Sequence, residues 1–348
     1  MAEWILHVDL DQFLAAVEVL RRPELAGRAV VVGGDGNPRR ARQVVATASY
    51  EARAFGVRSG MSLAEAARRC PEAVFLPSDR PTYDAASAVV MATLRTYPVT
   101  VEVWGWDEAF VGATTDDPEA LARDLQGAVL RATRLHCAIG IGETKLQAKT
   151  ATGFAKPGGI ARITRASWIP TMGHRPVTDV WGIGARTARR LADLGITTVE
   201  QLARTDHGAL ARRFGPTIGP HLRILGLGGG DDPVTAEPWI VRSRSKEVTY
   251  EHDVRGRAAV EAEVARLADE VTAEVIAAGR VVTHVAVKVR WATFFTRSRI
   301  AKLPEPTTDP AVVRSGAAVV LERFAATGFD LDRPIRLLGV RVMLQTSG

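Results

Sequence analysis

The sequence predicts a multidomain α+β protein. Three observations carry this reading. The chain has 348 residues, enough for two to four domains. Two apolar strands near the front each run into acidic residues. The last third alternates as strand, helix, strand, strand, helix, strand. Apolar residues make up 46%, so each domain can bury a sizeable core.

The chain is organised around residues 103–111, Val-Trp-Gly-Trp-Asp-Glu-Ala-Phe-Val. The pattern reads as an apolar strand with Asp107 and Glu108 at its middle. Unpaired carboxylates in a buried strand each cost several kcal/mol, so a compensating cation is expected, and a divalent metal is the natural one. Residues 4–11 form a second apolar strand that ends in Asp9 and Asp11. Adjacent strand residues face opposite ways, so Asp107 and Glu108 can meet at one site only if a group approaches from a neighbouring strand or if Glu108 curls back at the strand end. Asp9 supplies it, giving a carboxylate cluster of Asp9, Asp107 and Glu108.

The elements follow in order. Residues 13–20 are helical in character, and 29–32 form a short buried strand. Residues 33–38, Gly-Gly-Asp-Gly-Asn-Pro, are a turn, and Arg39, Arg40 and Arg42 make a basic loop. Residues 44–53 pass from strand into helix, with Tyr50 and Arg53 on one face close to the helix start, where backbone N–H groups favour an anion. Ser62 and Glu65 form a capping box. A longer helix over 80–96 leads to the acidic strand, and Asp117-Pro118 starts the next helix. A strand over 135–142 precedes Lys145, Lys149 and Lys156, and Pro157-Gly158-Gly159 ends that helix.

From Pro170 the texture changes to short helices with glycine hinges. Val180 to Gly184, followed by residues 187–196, resembles a helix-hairpin-helix, in which Gly182 and Gly184 would offer backbone amides to a phosphate. Residues 226–238, rich in Gly and Pro, read as a linker. In the last third, a helix over 257–278 stops at Gly279. The strand over 281–291 alternates, sending Thr283, Val285, Val287, Val289 and Trp291 to a core and His284, Ala286, Lys288 and Arg290 to a wet, basic face. A strand over 295–303 carries Arg297, Arg299 and Lys302. Asp309-Pro310 opens a second helix, and 336–344 is the last strand. With a strand near 241–251, this is a four-stranded βαββαβ sheet under two helices, whose open face suits a duplex backbone.

Composition narrows the function. A net charge of +6 and a pI of 9.7 suit an anionic partner such as nucleic acid. Cys70 and Cys137 are the only cysteines and have no motif spacing, which excludes a disulfide framework and a thiolate zinc site and fits a reducing cytosol. No apolar run approaches the roughly 18–20 residues of a membrane span, and the chain opens on a strand rather than a signal peptide.

Four segments recur in this order in one family: Asp9-Leu10-Asp11-Gln12-Phe13, residues 44–53, Asp107-Glu108-Ala109-Phe110, and residues 155–160. They resemble the Y-family, lesion-bypass DNA polymerases of the DinB (DNA polymerase IV) type over essentially the whole chain. The resemblance implies a right-hand architecture: a ferredoxin-like βαββαβ palm at 1–19 and 79–168, small fingers at 20–78, a helix-hairpin-helix thumb at 169–230, a linker at 231–241 and a βαββαβ little finger at 242–346. It implies a DNA-directed DNA polymerase of low fidelity with no proofreading module. Asp9, Asp107 and Glu108, with the Leu10 carbonyl, would hold two Mg²⁺ or Mn²⁺ ions. Tyr50, Arg53 and Lys156 match triphosphate contacts, Thr47 a further one, and backbone amides near Phe13 another; Asp11 takes a structural role. Gly182, Gly184, Lys288, Arg290, Arg297 and Arg299 are the expected DNA contacts.

The chain departs from the family pattern in three places. Gly105 stands where a Ser is usual, Gly153 where an acid is frequent, and Leu14 where a bulky aromatic acts as steric gate under the incoming sugar. Leu14 therefore implies ready use of ribonucleotides beside deoxynucleotides. The expected partners are primer-template DNA and nucleotides in a monomeric, cytoplasmic, nucleoid-associated protein with no membrane. Clamp binding through residues 344–348 is expected to be weak or absent, since they lack a Gln-x-x-Leu-Phe-like tail. Two other classes fit less well. A non-catalytic polymerase-like accessory protein would be expected to lose carboxylates, and a nucleotide cyclase has no need of the thumb or the basic sheet.

Overall fold

The computed structural model describes residues 2–230 and 232–345. The chain divides into two compact units, Met1–Pro38 with Gln43–Glu237, and Arg39–Arg42 with Pro238–Gly348.

In the first unit the chain runs β1 (Ala2–Leu10), α1 (Phe13–Arg21), β2 (Val30–Val32), β3 (Thr47–Ala48), α2 (Tyr50–Ala54), α3 (Leu63–Arg69), β4 (Val74–Leu76), α4 (Arg80–Leu94), β5 (Thr100–Val103), β6 (Glu108–Thr115), α5 (Pro118–Thr133), β7 (Cys137–Gly142), α6 (Lys145–Ala155) and β8 (Ile160–Arg162). Five of these strands form a sheet in the order β5-β6-β1-β7-β8. The first four have the ferredoxin-like order, and β8 adds in parallel at the edge. Leu6, Val8 and Leu10 alternate into a core shared with α1, α4 and α5. His7 and Asp9 face the other side, toward α6. A smaller sheet, β3-β2-β4, has its own core of Val31, Val45, Ala48, Ala52, Val57, Leu63, Ala66 and Cys70.

Helix α6 lies on β7 at backbone contact. A methyl group at Gly140 would stand 2.0 Å from the Ala148 carbonyl oxygen and 2.3 Å from the Thr152 nitrogen. Only a glycine permits this approach, and it brings the lysine face of α6 over β1.

Residues 103–111 depart from the expected continuous strand. β5 ends at Val103, the chain reverses over 104–107, and β6 starts at Glu108, with Val103 pairing back onto Ala109. The Trp104 and Gly105 amides both donate to the Glu108 carbonyl at 3.1 Å. Two tryptophans made the turn look like strand. Their indole N–H groups are instead tied to acids, Trp104 to Glu102 at 2.7 Å and Trp106 to Asp84 at 2.6 Å.

Five short helices follow: α7 (Arg165–Met172), α8 (Ala185–Ala192), α9 (Val199–Arg204), α10 (His207–Phe214) and α11 (Ile218–Gly226). They close on a third core containing Trp168, Leu191, Leu202, Leu210 and Leu225. The stretch read as a free linker is held to this unit as far as Glu237. Val234 packs over Gly112, and the Thr235 amide donates to Glu102 at 2.9 Å. Composition signals flexibility but not these two anchors.

The second unit carries β9 (Ser243–Val254), α12 (Arg257–Ala277), β10 (Val282–Trp291), β11 (Thr296–Thr307), α13 (Pro310–Ala326) and β12 (Ile335–Leu344). The sheet order is β11-β10-β12-β9, antiparallel throughout, with both helices on one face. The predicted alternation of β10 holds from Val285 to Trp291, and an irregularity between Val282 and His284 takes Thr283 out of it. Arg297 and Arg299 do not lie on the open face. They pair opposite Val289 and Val287, so they share the helix-covered side. Their guanidinium groups stack there, Arg297 4.7 Å from the Phe295 ring and Arg299 5.4 Å from Phe329. Lys288 and Arg290 stay on the open face, Lys288 paired with Glu247 at 2.5 Å and Arg290 bonded to the Thr296 hydroxyl at 2.8 Å. Residues 346–348 of the C-terminal tail and Asp231 of the linker fall outside the described residues, and with them part of the segment considered for clamp binding.

The β7–α6 contact is testable. Gly140→Ala should force the helix off the strand and destabilise the protein by about 1–3 kcal/mol, the usual range for overpacking a tight interior. Thermal unfolding checks it, and an unchanged midpoint would contradict the contact.

Candidate active site

Antiparallel pairing sets Asp9 directly opposite Glu108 across β1 and β6. Asp107 precedes Glu108 in the turn, and its carbonyl accepts from the Leu10 amide at 2.8 Å. Because Asp107 is off the strand, it escapes the alternation that would have turned it from Glu108. Asp9 and Glu108 thus meet at the rim of the sheet beside α6, and the Asp107 carboxylate is near enough to feel the charge of both.

The acids are unequal. The Glu108 carboxylate accepts from His7 Nε2 at 3.2 Å and from Lys149 Nζ. The His7 hydrogen bond and then Lys149 hold its pKa down to about 2. Burial lowers the His7 pKa, against the hydrogen bond to Glu108, which raises it. On the ring's other side Nδ1 lies 2.9 Å from the Thr152 hydroxyl, and Lys149 Nζ stands 3.3 Å from Nε2. Asp9 Oδ1 accepts from Lys156 Nζ at 2.6 Å. Asp107 has no ion pair among the described residues, and burial, then the charges of Asp9 and Glu108, push its pKa up.

This donor set suits hard divalent cations, which take carboxylate and carbonyl oxygens. The residues present, three carboxylates beside the Leu10 carbonyl, fit such ions. Among the described residues, the metal-ligating atoms that lie within 4.8 Å of one another are those of His7, Asp9 and Glu108, and Asp107 is not in this group. His7 already spends both ring nitrogens on Glu108 and Thr152, so it reads as a support for Glu108 rather than a ligand.

Of the expected triphosphate residues, Lys156 touches the cluster through Asp9, and the others lie on α1, β3 and α2. The Tyr50 hydroxyl donates to Asp11 Oδ1 at 2.7 Å, and burial followed by Asp11 raises the phenol pKa. The Tyr50 amide is taken by Gln12 Oε1 at 2.5 Å. Asp11 also accepts from the Gly158 amide at 2.8 Å, so it ties the start of α2 to the loop after Lys156. Arg53 Nε donates to the Ala48 carbonyl at 2.9 Å, with its guanidinium 5.2 Å from the Tyr50 ring centroid. Thr47 pairs with Val32 at the edge of the small sheet. Phe13 is 2% and Leu14 7% exposed, both at the first turn of α1 and both packed in the core. Lys145 is not a solvated surface lysine: it pairs with Glu102 at 2.7 Å over the Phe110 ring.

In the helical segment, Gly182 adopts φ +96° and Gly184 caps α8 without a side-chain bond to its first amides. This is the hairpin geometry that leaves backbone donors available.

Comparison with known proteins decides the family. The chain matches the impB/mucB/samB family over residues 8–153, the C-terminal domain of that family over 241–344, and the IMS family HHH motif over 165–196. It is 54% identical over 344 residues to "DNA polymerase IV 2" of Mycobacterium tuberculosis, covering 98% of each chain. It is 38% identical over 351 residues to "DNA polymerase IV" of Streptomyces coelicolor, covering 98% of this chain and 71% of the other. The chain belongs to the Y-family DNA polymerases of the DNA polymerase IV type. Among solved structures, a Y-family DNA polymerase chimera of Dbh and Dpo4 shares the fold with a TM-score of 0.86 at 23% identity, covering 98% of both chains. DinB from Sulfolobus solfataricus gives a TM-score of 0.61 at 23% identity.

Within this polymerase IV chain, His7 is the site residue that sequence reasoning missed. It lies two positions before Asp9, so strand alternation alone puts it on the same face. Lys149 belongs to a row of lysines in the sequence, and nothing in that row singles it out as the Glu108 partner. His7→Ala should slow single-nucleotide extension about 10–100-fold, the usual loss on removing a residue that orients a metal ligand. His7→Gln, whose amide can still donate to Glu108, should keep more of the rate. Extension measured across a range of Mg²⁺ checks this, and an unchanged His7→Ala would contradict the support role.

Proposed function

We propose that this polymerase is a template-directed, low-fidelity lesion-bypass enzyme that joins nucleotides by two-metal chemistry. The observation that carries the proposal is the in-register pairing of Asp9 with Glu108, with Asp107 beside them at the edge of a ferredoxin-like sheet. Asp9, Asp107, Glu108 and the Leu10 carbonyl would hold the ions. When bound, Mg²⁺ or Mn²⁺ supplies the positive charge that favours an ionised primer hydroxyl and a pyrophosphate leaving group. Arg53 and Lys156 neutralise the triphosphate, Arg through its planar fork and Lys as a point charge, and Tyr50 and Thr47 add hydroxyl donors. Four apolar cores fit a division into palm, fingers, thumb and little finger, but they cross the boundaries given above: Leu25, Val30, Val32 and Leu76 of the fingers range lie in the palm core, and Leu146, Ala151, Ile163 and Trp168 of the palm range lie in the thumb core. Gly182, Gly184, Lys288 and Arg290 are the candidate DNA contacts, whereas Arg297 and Arg299 lie on the helix-covered side and cannot serve as open-face contacts.

Ribonucleotide use rests on Leu14. An aromatic ring at this position would reject a ribose by colliding with its 2′-hydroxyl, and a gate of that kind works by repulsion. Leu14 has no ring, and an apolar pocket alone rejects an added hydroxyl by only about 10²-fold.

Two experiments test the function. Asp107→Ala should abolish primer extension while primer-template affinity stays within a few-fold of wild type; normal extension by the folded variant would sink the assignment. Leu14→Phe should restore preference for deoxynucleotides and spare DNA synthesis, read as kcat/KM for a matched dNTP and rNTP. A wild-type preference that is already strong, and unmoved by Leu14→Phe, would refute the role of Leu14.

A further inference from the structure

The carboxylate cluster carries its own cations. Lys156 Nζ stands 2.6 Å from Asp9 Oδ1, and Lys149 Nζ touches Glu108 Oε2. These are not surface pairs: the side chains are 30% and 16% exposed in the first and 17% and 24% in the second. Such pairs matter more than solvated ones, because breaking one strands a charge in a poorly solvated place. Asp9 and Glu108 face each other across one strand pair, so either bare carboxylate would also meet its neighbour's repulsion. Lys156 is nonetheless one of the residues needed at the triphosphate. It cannot serve Asp9 and a phosphate fully at once.

We propose that Lys156 is an exchangeable counter-cation, neutralising Asp9 in the free enzyme and passing to the triphosphate when a metal–nucleotide complex binds. The proposal rests on the reading of Asp9 as a metal ligand and Lys156 as a triphosphate ligand. A metal–nucleotide complex brings a cation for Asp9 and an anion for Lys156, so both partners of the broken pair are paired again in one event. Neither component alone achieves this. A metal ion by itself must evict Lys156 and leave an unpaired ammonium. A metal-free triphosphate must draw Lys156 away and leave Asp9 bare beside Asp107 and Glu108. Metal and nucleotide are therefore coupled through Lys156, and the coupling is reciprocal. The movement is a side-chain swing: Lys156 sits at the end of α6 on a flexible four-carbon stem.

The test is Mn²⁺ binding to the full chain, followed by the electron paramagnetic resonance signal of free Mn²⁺, with and without a non-hydrolysable dNTP. Wild type should bind Mn²⁺ weakly alone and markedly better with the nucleotide. Lys156→Gln should bind Mn²⁺ alone on the order of tenfold more tightly, as expected for loss of a close competing charge, and should gain little from the nucleotide. Lys156→Met should match Lys156→Gln, and Lys156→Arg should behave as wild type. Equal Mn²⁺ affinity of wild type, Lys156→Gln and Lys156→Met without nucleotide would overturn the exchange. Asp107→Ala separates this from failure of the underlying reading. Its loss of Mn²⁺ binding is expected, whereas wild-type Mn²⁺ binding by Asp107→Ala would overturn the metal site itself.

Discussion

Three carboxylates cannot be crowded at a sheet edge unless the surroundings compensate them, and much of the first unit can be read as that compensation. Asp9 and Glu108 face each other because β1 and β6 pair antiparallel in one register. A shift of one residue would send one of them to the apolar core. The lysines reach the acids because α6 lies at backbone contact on β7, which the glycine at 140 allows. His7 sets the Glu108 side chain from below, and Thr152 on α6 sets His7. Strand register, a bare glycine and one buried imidazole thus converge on the same few atoms.

The acid cluster was legible in the sequence because charge in an apolar strand is physically expensive and so conspicuous. Asp9, Asp107 and Glu108 stood out for that reason alone. The local geometry of Asp107 was not legible. Trp104 and Trp106 carry the hydrophobic pattern of a strand, while their indole N–H groups, bonded to Glu102 and Asp84, hold a turn. Side-chain hydrogen bonds of this kind leave no periodic signature.

The second unit shows the same limit. Alternation along β10 predicted the buried residues from Val285 to Trp291 but not the break at Thr283, since period two is a property of one regular strand. It could not say how β11 aligns with β10, and that register is what turns Arg297 and Arg299 to the helix-covered side. His7 is the converse case. Its place on the Asp9 face followed from alternation, but a lone histidine in a strand gives no sign of a partner 101 residues away. Lys156 was recognised through the motif around it, whereas its bond to Asp9 depends on the fold bringing α6 over β1.

The central claim is that Asp9, Asp107 and Glu108 form one metal-binding centre, supported but not joined by His7. Anomalous diffraction from Mn²⁺ in crystals of the chain with primed template and a non-hydrolysable nucleotide tests it most directly. The account predicts manganese peaks bonded to oxygens of Asp9, Asp107 and Glu108, with His7 still hydrogen-bonded to Glu108 and Thr152. A manganese ion bonded to a His7 ring nitrogen, or one that leaves Asp107 uncoordinated, would contradict it.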